Sequence, residues 1–396
     1  MLSFLMDVIQ TNKGIHIFEG SCRDEMVGHA VFSPNGDHRQ PGCHCTPTTL
    51  LNFTTKCFGD LGCFYTGPPW YHPLYRPVSV PPQELHTKFL LHTRSNKQTP
   101  YDLKPTAESL SKSPFEDNST VKVLVHGYTG HPKSLTGIMQ ELLKYSSYNV
   151  ILIDWSREAS GTPAQAAANA RLVGAYTAKL LHFIMNETGL EPENIHLIGH
   201  SFGGQLVSYI GERIRNLGRI TALDPPGPYF DNAPTEVRLD RSDAIFVDVL
   251  LTTAGEIYYE GVGTDDIIGH AVFSINGGRR QPGCPYTPIK RPRSFAALRP
   301  GPYCSHERVL DYFKSSIKTC NYTSYACFSY EAYKNGQCKD TPYKNRMGFH
   351  AVKPPFQLNY FLDTTGTAPY CEAKDSEPSL LHQFLYAPFS FILRFL

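Results

Sequence analysis

The stretch NIHLIGHSFGGQ (194–205) decides how the chain is read. It opens on an apolar run, centres on GHSFG (199–203), and is followed by LVSYIGERIR (206–215), which has the spacing of a helix. A strand that turns sharply into a helix at a serine needs small neighbours, because backbones approach closely there. Gly199 and Gly203 supply them. The turn would lift the Ser201 hydroxyl above the end of a sheet and aim the backbone N–H of Phe202 toward the same spot. The bland alternative is a structural Gly-Ser turn. Bare G-x-S-x-G is a weak pattern, and its flanking strand and helix make it a strong one.

Working outward, VKVLVHGYTG (121–130), NVILIDWS (149–156), RITALDPPGP (219–228) and AIFVDVLLTT (244–253) read as further buried strands. SLTGIMQELLKYSS (134–147) and the alanine-rich 163–189 read as helices. Strands alternating with helices predict an α/β fold with a mainly parallel sheet covered on both faces.

A serine nucleophile needs a base, and the base needs an orienting acid. Asp224 ends the strand ITALD at a Pro-Pro break, which puts it on the same rim as Ser201. A turn-forming aspartate before proline is the structural alternative. Asp248, inside FVDV, is the rival acid but sits mid-strand. His306, in CSHERV, is the expected base, since it follows Cys304 by two residues and opens a helix; of the other downstream histidines, His270 and His350, the first lies in a repeated stretch. HGYTG (126–130) ends an early strand, so the N–H of Tyr128 is the second expected oxyanion donor beside Phe202.

The chain has 396 residues and a formal net charge of +1, which argues against a nucleic-acid partner. Its 11 cysteines cluster at 22–63 and 284–371, as local disulfides would. Sequons at Asn52, Asn118, Asn186 and Asn321 join them in predicting a secreted glycoprotein. The opening MLSFLMDVIQTNKG, with a very short apolar run and no basic residue before it, does not read as a signal peptide, and no run of 18 apolar residues predicts a membrane span.

Taken in order, HGY, NVILIDW, IGHSFGG, ALDPPGP, GHAVFSINGGRRQPGC and CSHER make the chain resemble the pancreatic lipase family from about Lys56 to Cys371. The resemblance implies an α/β-hydrolase fold and a secreted carboxylic ester hydrolase working at a lipid interface. Triacylglycerol lipase is the first expectation, with phospholipase A1 or a non-catalytic lipid-binding homologue as alternatives. It implies Ser201 as nucleophile, Asp224 as acid, His306 as base, and Tyr128 and Phe202 as oxyanion-hole amides. It also implies a structural Ca²⁺ site in TEVRLDRSD (235–243), from the carbonyls of Thr235 and Arg238 and the carboxylates of Asp240 and Asp243, with no catalytic cofactor. A lid is implied between Cys284 and Cys304, whose PYTPIKRPRSFAALRPGPY mixes four basic residues with Phe295, Leu298 and Tyr303. Cys57–Cys63 and Cys327–Cys338 are further expected pairs, and Cys320–Cys371 an additional one. Family members carry a C-terminal β-sandwich that docks a protein cofactor; this chain stops soon after FLDT, so no such partner is expected.

One stretch occurs twice. GHAVFSPNGDHRQPGC (28–43) returns as GHAVFSINGGRRQPGC (269–284), and residues 7–43 match 248–284 at 20 of 37 positions. The first copy has no serine turn, no strand ending in HG and no CSH after it. Residues 1–48 are therefore expected to be a partial duplicate with no core of its own, fused ahead of a catalytic domain at 55–371 and displacing the true signal peptide. Residues 372–396 are expected to be a linker and an apolar tail.

Overall fold

The computed structural model describes residues 6–11, 14–19, 53–72, 74–255, 262–285 and 301–372. Most of the first copy of the repeat, most of the 285–303 segment, Asn52 and the tail after 372 lie outside the described residues. The chain divides into two compact units, Met1–Cys57 with Gly62–Gly67 and Phe58–Leu61 with Pro68–Leu396.

The first unit contains two small ribbons. β1 (Met6–Thr11) pairs antiparallel with β2 (Gly14–Glu19), and β3 (Thr55–Cys57) with β4 (Cys63–Tyr65). A Cys57–Cys63 disulfide closes the second ribbon.

The second unit is built on one large sheet. Its strands in chain order are β5 (Lys88–His92), β6 (Tyr101–Leu103), β7 (Val121–Val125), β8 (Asn149–Asp154), β9 (Ile195–His200), β10 (Arg219–Leu223), β11 (Phe246–Leu251), β12 (Ala271–Ile275), β13 (Thr323–Ala326), β14 (Lys344–Arg346) and β15 (Leu358–Leu362). Their spatial order is β14-β13-β15-β12-β11-β10-β9-β7-β8-β5-β6. From β15 across to β8 all neighbours are parallel, and antiparallel strands finish both edges. The central strands are buried on both faces, which is why they read as unbroken apolar runs.

Each face has its own core. α3 (Pro163–Thr188) and α4 (Phe202–Gly211) cover one, through residues such as Ala170, Leu181, Leu206 and Tyr209. α2 (Thr136–Tyr145) and α5 (Gly301–Ser316) cover the other, through Ile138, Leu142, Val309 and Phe313. The alanine-rich sequence of α3 has a cause: a Cβ at Gly174 would lie 2.6 Å from the Cβ of Tyr209, so the two helices touch almost backbone to backbone. Gly189 ends α3 in the left-handed region, at φ 70°. Two short helices, α1 (Ala107–Lys112) and α6 (Tyr330–Lys334), lie outside this frame.

The sequence places the helix after the serine at 206–215, whereas α4 runs over Phe202–Gly211. The glycines at 203 and 204 hid its start. Their cost in helix propensity is outweighed here because every residue of α4 is buried.

Candidate active site

β9 ends at His200, and the next residue, Ser201, is held at φ 55° and ψ −126°. A side-chain-bearing residue in that region is strained by about 1–3 kcal/mol and persists only when its surroundings enforce it. The enforcement is visible. A Cβ on Gly199 would collide with the carbonyl of Gly203, and one on Gly203 with the carbonyl of Val125. Gly127 also presses on the serine: a Cβ there would stand 2.6 Å from the Cβ of Ser201. The Ser201 N–H donates to the Leu223 carbonyl at 2.9 Å, tying the turn to the end of β10.

Asp224 follows directly, fully buried and at φ 49°. Its Oδ1 accepts from the backbone N–H groups of Thr252 at 2.7 Å and Thr253 at 3.0 Å. Its Oδ2 accepts from the Thr253 hydroxyl at 2.5 Å and lies 2.6 Å from His306 Nδ1. Burial pushes this carboxyl up, but the His306 contact and the two threonines more than offset it, so it sits below the usual carboxylate value. His306 lies in the first turns of α5 and is buried. Two contacts fix that end of the helix: the Cys284–Cys304 disulfide, and the Ser305 hydroxyl accepting from the Gln281 N–H at 3.2 Å. The His200 ring lies 4.7 Å from that of His306, so the residue beside Ser201 touches the imidazole bonded to Asp224. Burial, followed by the neighbouring His306, drives His200 down to about 3, and it stays neutral.

Tyr128 and Phe202 meet as rings 5.5 Å apart, and the Tyr128 hydroxyl donates to Gly161 at 2.7 Å. As first residue of α4, Phe202 has an N–H with no acceptor inside the helix. His126, pushed to about 4 mainly by burial, accepts through its carbonyl from the Trp155 indole at 2.8 Å and so anchors the turn that carries Tyr128.

The rival Asp248 is occupied elsewhere. It takes the Arg219 guanidinium at 2.8 and 3.0 Å and the Thr221 hydroxyl at 2.8 Å, while Arg219 also donates to the carbonyls of Gly348 and Phe349. His270 accepts from the Val247 N–H, and His350 contacts the Ile317 carbonyl. Both are structural.

Thr235 opens the 3-10 turn Thr235–Val237, which Arg238 follows, and Asp243 closes the 3-10 turn Arg241–Asp243, which Asp240 caps. Asp240 and Asp243 form a reciprocal cap: Asp240 Oδ1 accepts from Ser242 at 2.6 Å and Asp243 Oδ2 from the Asp240 N–H at 2.9 Å. Each carboxylate keeps a second oxygen. Asp243 is nearly fully buried, and burial first, then the charge of Asp240, raises it well above the ordinary value. A buried carboxylate beside another carboxylate is relieved by a cation, and an all-oxygen donor set suits a hard one, so these residues fit Ca²⁺. Among the described residues no cluster of three or more His, Cys, Asp or Glu side chains is placed to hold a metal ion.

All four expected disulfides are present: Cys57–Cys63, Cys284–Cys304, Cys320–Cys371 and Cys327–Cys338. Of the sequons, Asn118 and Asn186 are exposed. Sequence reading missed the polar frame around the acid. Gln281 donates to the carbonyls of Thr252 and Ile275 and accepts from Tyr312 and Asn276, joining the loop under Asp224 to α5. The signal was available, since Gln281 stands in RQPGC, which the chain carries twice.

A sequence model of the Lipase family matches residues 54–370. The chain belongs to that family. Lipase-family relatives include pancreatic lipase-related protein 2 of Rattus norvegicus, 35% identical over 74% of this chain and 66% of that protein. Pancreatic triacylglycerol lipase of Homo sapiens is 33% identical over 78% of this chain and 70% of that protein. Inactive pancreatic lipase-related protein 1 of Homo sapiens is 33% identical over the same shares. The chain spans about two thirds of the length of these relatives. Among solved structures, a phospholipase/carboxylesterase from Dyadobacter fermentans overlaps 42% of this chain and 71% of its own at 14% identity and a TM-score of 0.29, too slight a likeness to bear on the site.

Proposed function

We propose that this lipase-family chain is a serine-dependent carboxylic ester hydrolase acting on lipid at an interface, with triacylglycerol as its main substrate. The observation that carries the reading is the buried Asp224–His306 contact of 2.6 Å on the rim where the strained Ser201 sits. In this reading His306 takes the Ser201 proton through Nε2 while Asp224 holds its Nδ1–H and fixes the tautomer. Ser201 Oγ attacks the ester carbonyl, and the N–H groups of Tyr128 and Phe202 receive the oxyanion. His306 returns the proton to the departing alcohol, leaving an acyl-serine. Water, deprotonated by the same histidine, then releases the fatty acid. No metal takes part in these steps. A Ca²⁺ held by the carbonyls of Thr235 and Arg238 and the carboxylates of Asp240 and Asp243 would neutralise the buried Asp243 and stiffen the loop after β10. Four disulfides accord with a secreted protein.

A second reading, lipid binding without turnover, is favoured by one observation: the inactive and the active human relatives are equally similar to this chain. One assay separates them. The full chain and Ser201→Ala are compared on trioleoylglycerol emulsion and phosphatidylcholine vesicles, where loss of a triad serine costs up to about 10⁶-fold. Serine-dependent release from the emulsion supports the proposal. Release mainly from vesicles moves it to phospholipase A1. No serine-dependent release from folded protein establishes the binding reading.

A further inference from the structure

We propose that the turn closed between His72 and Arg76, with Val78 beside it in sequence, is a preformed contact for the lipid surface. The inference rests on the interfacial-esterase reading and names where the interface is met.

Leu74 is 57% exposed, Tyr75 48% and Val78 47%. Single exposed apolar residues are ordinary on a protein surface. Three within five residues, on a segment held this firmly, are not. His72 and Arg76 exchange both backbone hydrogen bonds, at 2.8 and 3.0 Å. The His72 ring accepts from the N–H groups of Leu74 and Tyr75 through Nδ1, both at 3.2 Å, and stacks on the Tyr75 ring at 4.3 Å. Arg76 is buried, and its guanidinium donates to the carbonyls of Tyr229 and Pro69. Just upstream, the Trp70 indole donates to the Glu236 carbonyl at 3.2 Å, and its ring carries the Arg171 guanidinium at 4.1 Å. The segment is thus pinned by polar groups on its inner side while it holds apolar groups outward. A loop ordered in advance loses little entropy when it binds.

Its position connects it to the site. The Tyr75 ring lies edge-on to Tyr229 at 6.2 Å, and Tyr229 edge-on to Phe202 at 5.9 Å. Phe202 follows Ser201 directly. A continuous aromatic row therefore runs from the residue beside the serine out to this turn. An apolar surface met at Leu74 and Val78 would lie at the outer end of that row, and an acyl chain leaving it would find rings along the way. Charged recognition is not suggested, since Arg76, the basic residue of the turn, is turned inward.

The test uses the full chain carrying Leu74→Ser and Val78→Ser together, which leaves Tyr75 and its packing in place. Phe328→Ser, which removes a ring 80% exposed beside β13, serves as a control for lost surface hydrophobicity. Binding to trioleoylglycerol emulsion stabilised with phosphatidylcholine is measured by co-flotation, and hydrolysis of a soluble p-nitrophenyl ester in parallel. The double variant is expected to bind the emulsion about tenfold or more weakly, from the loss of two buried aliphatic groups, while soluble-ester hydrolysis is unchanged. Phe328→Ser is expected to bind as the parent does. Equal binding by the double variant, or an equal loss in Phe328→Ser, overturns the proposal. Failure of the esterase reading would show separately, as soluble-ester hydrolysis that does not depend on Ser201.

Discussion

Two regions share 20 of 37 residues, and their matching strands pair differently. Asp248–Thr252 belongs largely to β11, a buried strand lying parallel between β10 and β12. Its counterpart Asp7–Thr11 lies in β1, which pairs antiparallel with β2 in a two-stranded ribbon. In the downstream copy four polar residues meet partners from sequence that is not repeated. Asp248 meets Arg219, Thr252 and Thr253 meet Asp224, and Gln281 meets Tyr312. The upstream copy repeats Asp7, Thr11 and Gln40 and changes Thr253 to Asn12, but Arg219, Asp224 and Tyr312 each occur once. A binding pattern is therefore a property of the pair. A strand gains its register from its neighbours.

Substitutions at matched positions sharpen the contrast. The largest effect is expected from Asp248→Asn. Asp248 is fully buried, and Arg219, mostly buried, would be left without its countercharge. Breaking such a pair costs about 3–5 kcal/mol. A thermal melt should show a large drop in Tm for Asp248→Asn, while Asp7→Asn stays within about 0.5 kcal/mol of the parent. A comparable loss at Asp7 would break the comparison.

Thr253→Val is expected to act at the site with a smaller effect. The Thr253 hydroxyl helps keep the Asp224 carboxyl below its ordinary value. A depressed folded value means stability that is full above the unfolded carboxylate value of about 3.9 and lost as pH falls through the folded one. Removing the hydroxyl raises the folded value and narrows that window from the acid side. The expected loss is about 1 kcal/mol, or roughly fivefold in kcat/KM, with the acid limb of the pH–rate profile shifted upward. An acid limb that does not move would show that the backbone N–H groups of Thr252 and Thr253 hold Asp224 without the hydroxyl.

Much of this was legible in the sequence, because the signals were local. The apolar runs gave β7 to β11, GHSFG gave the turn, and the Pro-Pro break after Asp224 put the acid at a strand end. The family resemblance gave the cysteine pairs Cys57–Cys63 and Cys327–Cys338. What stayed hidden depends on residues far apart in the chain. Gly127 is pressed against Ser201 across 74 positions of intervening fold, and Thr253 reaches Asp224 from the next strand. The start of α4 was masked by glycines that only packing makes helical. The surroundings of Lys122, within VKVLV, were equally hidden: it is buried beside the Tyr148 and Phe349 rings, where burial lowers it to about 7.

The smallest expected effect is the most direct test of the comparison: removal of residues 1–48. Each polar contact described around Ser201, Asp224 and His306 is made by residues between Gly127 and Tyr312. If the upstream copy gains nothing from residues it repeats without their partners, the shortened chain should melt at the same temperature and hydrolyse emulsion and soluble ester within about twofold of the full chain, the range of a neutral surface change. Differential scanning calorimetry and the paired assays measure both. A selective loss on emulsion, with soluble ester untouched, would assign the upstream copy a part in meeting lipid. A loss on both substrates would mean that it completes the site, and the contrast between the two copies would fail.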